Sequence, residues 1–196
     1  MKRFLALCFS FLVLAACVDT KGLSADSSRK PTGNPQSSIV VTEFADLECP
    51  ACKAAYTTIT QPLLQKYGTQ ISYIYKHFPL RSIHPYAMDL AEAAECAADK
   101  GKFWEFADMA FTHQDKLGPG VINQWASSLG INDDTYSRCT RSHIKRKEIL
   151  ANYDEGIKLG VQGTPTFFVN GVQTPSTLTD LSAAIDAALK NAVQKL

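Results

Sequence analysis

Two cysteines three positions apart, Cys49-Pro50-Ala51-Cys52, lie between a strand-like run, Ile39-Val40-Val41-Thr42-Glu43-Phe44, and a helix-like run from Lys53 to Tyr67. No other feature constrains the chain as tightly. Two thiols this close at a helix start can close a disulfide with little backbone motion. The helix start also presents unpaired amide N–H groups and the positive end of the macrodipole, a field that favours thiolate over thiol. Thiolate is the species that attacks disulfides. The placement predicts a redox site carried on an α/β frame. The competing reading is half of a zinc site, which wants a second close pair of ligands. Cys96 and Cys139 stand alone and no histidine pair has ligand spacing, so no metal is expected. No cofactor is expected either, because the cysteines carry the electrons.

The rest of the chain supplies that frame. Pro62 is expected to kink or end the first helix. Ile71 to Phe78, rich in β-branched and aromatic residues, predicts a second strand closed by Pro79. Residues 84 to 160 read as helix after helix, with apolar positions at helical spacing (Phe103, Phe106, Ala107, Ala110, Phe111) and breaks at Gly101, Gly118-Pro119-Gly120 and Gly130. Asn132 or Asp133 could cap a further helix. Thr166-Phe167-Phe168-Val169, then Asn170-Gly171 and Val172, predicts a hairpin, and a last helix carries Leu178, Leu181, Ile185, Leu189 and Val193 on one face. The expected architecture is α/β, with a multi-helix insertion of about residues 84–160 between the second strand and the hairpin.

Export is written at the N-terminus. Met1-Lys2-Arg3 is basic, and Phe4 to Ala16 is apolar but too short to be a comfortable membrane span. The run ends in Leu14-Ala15-Ala16-Cys17, which resembles the lipobox of bacterial lipoproteins. That resemblance implies a signal peptide over 1–16 and a lipid on Cys17, which would tie the protein to a membrane of the bacterial envelope, facing the periplasm. The alternative is an ordinary signal peptide cut nearby. Residues 17–38 are poor in apolar side chains and are expected to form a flexible tether, leaving 39–196 as the folded domain. A net charge of +1 over 196 residues gives no reason to expect nucleic acid as a partner. With Cys8 removed and Cys17 acylated, four cysteines remain. An even number in an exported chain fits two disulfides, Cys49 with Cys52 and Cys96 with Cys139. Two buried free thiols are the other reading of Cys96 and Cys139.

Glu43-Phe44-Ala45-Asp46-Leu47-Glu48-Cys49-Pro50-Ala51-Cys52 and Gly163-Thr164-Pro165-Thr166-Phe167-Phe168-Val169-Asn170-Gly171 resemble the two active-site segments of the DsbA-like branch of the thioredoxin superfamily. The resemblance spans about residues 39 to 195, helical insertion included. It implies a thioredoxin fold and a thiol–disulfide oxidoreductase that puts disulfides into exported proteins. It makes Cys49 the exposed nucleophile, Cys52 the buried resolving thiol and Pro165 a cis-proline facing them. Thr164 would offer its backbone to clients as an added strand, and Glu43, six residues before Cys49, would relay a proton to or from Cys52. Lys76 could pair with Glu43 across adjacent strands. Glu48 is expected to oppose the thiolate mildly, and His77 and His84 read as strand-end and helix-cap residues. Ala51 can neither donate a hydrogen bond nor carry charge. It implies a Cys49 pKa below that of a free thiol but less depressed than in members with Pro-His, and a weaker oxidant. By family analogy the partners are cysteine-bearing exported proteins and a quinone-linked membrane reoxidant of the DsbB or VKOR type, with the chain acting as a monomer. The competing functions are a disulfide isomerase or reductase of the DsbC or DsbG kind, and a non-catalytic thioredoxin-fold module for peptide binding or metal assembly.

Overall fold

The computed structural model describes residues 18–131 and 133–194. The predicted signal peptide and Cys17 lie outside the described residues. Five strands form one sheet: β1 (Thr32–Gly33), β2 (Val40–Ala45), β3 (Ser72–His77), β4 (Thr166–Val169) and β5 (Val172–Thr174), in the order β1-β3-β2-β4-β5. β2 and β3 run parallel, and the other neighbours are antiparallel. Asn170 and Gly171, with φ of 49° and 80°, form the two-residue turn between β4 and β5. Positive φ at both central positions matches the twist of the flanking strands.

Strand alternation sorts the core. Val41, Glu43 and Ala45 of β2 share a face with Tyr73 and Tyr75 of β3, while Phe44 looks the other way. The first face is covered by α1 (Pro50–Ala55), α2 (Gln61–Tyr67) and α8 (Leu178–Val193) through Ala55, Leu63, Leu181 and Ile185, and by Ile59 from the stretch that joins α1 to α2. The second packs on α7 (Arg146–Lys158), with Phe44 among Phe78, Phe168 and Tyr153. Gly156 lets α7 come this close, since a Cβ there would fall 2.7 Å from the Phe78 ring. Between α1 and α2 the chain makes one π-helical stretch, Tyr56–Thr60, closed by Gln61 N–H donating to Tyr56 O. Pro62 comes one residue later, in the first turn of α2. It cannot donate to the preceding turn, and the local widening is how the helix carries it without breaking.

The insertion is built from α3 (Ala87–Ala98), α4 (Phe103–Thr112), α5 (Val121–Ser128), α6 (Asp134–Ser142) and α7. Asp133 caps α6, its carboxylate accepting from Tyr136 N. A disulfide joins Cys96 on α3 to Cys139 on α6, with Cα atoms 5.9 Å apart.

The expected tether is corrected by the structure. Residues 18–38 are laid across the domain rather than hanging from it. β1 adds to the free edge of β3. Arg29 Nη2 lies 2.9 Å from Glu95 Oε1, its Nη1 donates to Tyr75 O, and its guanidinium stacks 4.1 Å from the Phe103 ring. Ser27 Oγ also donates to Glu95. Trp104 Nε1 donates to Thr32 Oγ1, and the buried Lys145 binds both Asp99 and the Asp26 carbonyl. Arg138 takes the Asp19 and Lys21 carbonyls. Docking by charge and main chain leaves no trace in an apolar count. Burial alone would raise the pKa of Glu95. His77, Arg29 and Ser27 more than offset that and hold it well below the usual carboxylate range.

Candidate active site

Cys49 is the N-cap of α1 and Cys52 stands in its first turn. Both are free thiols. Ala45, at the C-terminal end of β2, hands the chain to a tight turn in which Cys49 N–H donates to Asp46 O at 3.1 Å. This puts both sulfurs over the end of the sheet, against the insertion. Gln114, just beyond α4, fixes the turn from the other side by donating to Leu47 O at 2.9 Å and Cys49 O at 3.1 Å.

The two thiols differ in poise. The Cys49 pKa is lowered from 9.0 to about 5, first because the Cys52 thiol donates to its sulfur; burial opposes this, and the helix-start amides of Cys52 and Ala51 help. Thiols at helix starts commonly fall at about 3.5 to 7.5. Cys52 is pushed well above 9.0 by burial, and by the negative charges of Cys49 and Glu43. Cys49 is only 5% exposed, less open than the expected exposed nucleophile, because its sulfur sits among apolar side chains of the insertion. Glu48 turns its carboxylate to Tyr86 N–H at 2.6 Å, and its pKa is raised chiefly by burial.

The Thr164–Pro165 peptide bond is cis. The Thr164 carbonyl oxygen lies 3.5 Å from Cys49 Sγ. An ionised sulfur cannot donate, so at neutral pH this is a close approach rather than a hydrogen bond. A groove of about 490 Å³ borders it, lined among others by Gln162, Thr164, Pro165 and Gln173.

Glu43 is buried beneath the pair. Burial raises its pKa from 4.5 to about 7, against hydrogen bonds from the Tyr73 and Thr60 hydroxyls. Lys76 does not meet it: the register sets Tyr75 opposite Glu43, and Lys76 bonds Glu155 on α7 at 3.0 Å. His77 ends β3 and lies buried against Glu95 at 2.9 Å. His84 turns its ring to Asp46, with Nδ1 2.7 Å from Oδ2. Asp46, Gln114, Tyr73 and Thr60 are site neighbours to which the sequence assigned no task. Partners 13 to 67 positions away are set by the fold and have no local pattern to announce them.

A family model described as Thioredoxin matches residues 27–187. A Rickettsia bellii protein named as a protein-disulfide oxidoreductase is 31% identical over 182 residues, covering 87% of this chain and 68% of its own length. A sodium/proton antiporter of Salinispora tropica, NhaA 3, is 38% identical over 162 residues. This chain spans only about a quarter of the antiporter's length, 24%, and the match carries nothing about ion transport. Among solved structures, alpha-DsbA1 of Wolbachia pipientis superposes with a TM-score of 0.74 at 21% identity, covering 88% of this chain and 96% of that one. BdbD of Bacillus subtilis gives 0.70 at 20% identity, covering 83% and 93%. By these matches the chain belongs to the thioredoxin family, with the fold of the DsbA-like structures and a pair of free thiols facing a cis-proline.

Proposed function

We propose that the protein oxidises thiols of exported proteins, with Cys49–Cys52 as the redox pair. One observation carries this reading: a buried, low-pKa sulfur at a helix start lies 3.5 Å from the carbonyl that precedes a cis-proline. A client thiolate attacks Cys49 Sγ of the oxidised pair, breaking the Cys49–Cys52 bond and forming a mixed disulfide. Cys52 leaves as thiolate and takes a proton, for which Glu43, with a pKa of about 7, is the donor. A second client thiolate then attacks the client sulfur and expels Cys49 as a stabilised thiolate. The client loses two electrons and the cysteine pair gains them. Thr164 holds the client chain as an added strand, with Pro165 beside it.

The Cys96–Cys139 disulfide supports an oxidising compartment. On this reading the signal segment exports the chain, Cys17 anchors it by lipid to an envelope membrane, and a DsbB- or VKOR-type membrane protein returns the pair to the disulfide. The protein works as a monomer without metal or cofactor. The test is refolding of a reduced, multi-disulfide protein, with Cys49→Ala as control. Fast oxidation without reshuffling supports the proposal; reshuffling of a scrambled substrate would reassign the protein as an isomerase.

A further inference from the structure

We propose that Asp46 and His84 form a positioning pair that sets the reactivity of Cys49 through Cys52. Asp46 is 2% exposed and its carboxylate receives three donors. Oδ1 accepts from Glu48 N at 2.8 Å; Oδ2 accepts from Leu80 N at 2.8 Å and from His84 Nδ1 at 2.7 Å. A carboxylate oxygen accepts, so His84 Nδ1 is the donor in this contact. These bonds tie the turn before α1 to the loop after β3 and fix the Asp46 backbone. That backbone reaches both sulfurs' positions: its carbonyl accepts from Cys49 N at 3.1 Å, and its N–H points to Cys52 Sγ at 3.5 Å.

The consequence is a relay of donors. Asp46 N–H polarises the Cys52 thiol, and the Cys52 thiol donates to Cys49. Hydrogen bonds in series strengthen one another. The same N–H faces the charge that appears on Cys52 when a client displaces it. Neither side chain touches client or sulfur; both act through the peptide they hold. Glu43, Glu48, Cys52, Tyr75 and His77 are the other titratable groups around the turn, and none of them makes the Oδ2 contacts, which go to Leu80 N and His84 Nδ1.

This rests on Cys49 and Cys52 being the redox pair, but not on the direction of the reaction, so the test uses no client. Asp46→Asn replaces one of the two accepting oxygens with an amide donor, so at least one of the three donors faces an NH2 group. His84→Leu removes the ring donor, and His84→Asn returns a donor at about the place of Nδ1. The full folded protein is alkylated with iodoacetamide across pH and equilibrated with glutathione. Asp46→Asn and His84→Leu should move the Cys49 midpoint upward and shift the equilibrium about three- to tenfold towards the disulfide form. His84→Asn should stay within about twofold of the parent. Unchanged midpoint and equilibrium, with only a lower melting temperature, would overturn the proposal, as would a His84→Asn variant as impaired as His84→Leu. If Asp46→Asn does not fold, the two His84 variants decide the matter alone. A parent protein that equilibrates with glutathione yet oxidises no client would count against the oxidase reading and leave this inference standing.

Discussion

Cys49–Cys52 and Cys96–Cys139 are both buried cysteine pairs touching one apolar cluster, yet the first is open to titration and the second is closed. The difference lies in what surrounds the sulfur. The first pair sits where a strand gives way to a helix, with backbone amides, a carbonyl and a buried carboxyl within reach. The second joins the bodies of two packed helices, α3 and α6. A thiol becomes a reagent when unsatisfied main chain surrounds it, and a staple when helix sides do.

That contrast can be broken from either end. Cys49→Ala should reduce client oxidation to the buffer background with little change in melting temperature; residual oxidation above background would mean that another thiol does the chemistry. Removing the other pair, Cys96→Ala with Cys139→Ala, should do the reverse. With the partners 43 positions apart in sequence, chain entropy gives a loss of about 4 kcal/mol, read by urea unfolding, while the Cys49 alkylation rate of the folded protein stays near that of the parent. A collapse of that rate would show that the staple also shapes the site.

Glu43→Gln sharpens the comparison within the proposed redox pair. It should slow mixed-disulfide formation with a model thiol by about a hundredfold, the low end for a proton-transfer group. It should also change the pH dependence of stability. The Glu43 pKa is raised on folding, so its contribution is full below 4.5 and is lost as pH rises towards about 7. The variant's unfolding free energy should therefore fall less than the parent's across that window. Ala51→His is the smallest expected change: a gain of roughly 30 mV in reduction potential, a tenfold shift in equilibrium.

The parts written in local pattern were legible: β2, β3, the hairpin turn at Asn170-Gly171, and the helical block. Cys49, Cys52 and Pro165 came from spacing and family resemblance. What escaped was non-local. Glu43 could not be given a face from a strand buried on both sides. The Lys76 partner depended on register. Asp46 and His84 lie 38 residues apart and meet only because β3 returns beside β2. The strap over residues 18–38 was misjudged because it is fastened by Arg29 and by backbone carbonyls, not by buried apolar side chains.

That strap bears on where clients are met. If Cys17 carries a lipid, the anchor joins a chain already fastened to α6 by the Asp19 and Lys21 carbonyls. What remains is a short stub and not a leash. Such an anchor would hold the domain close against the bilayer with α6 on its near side.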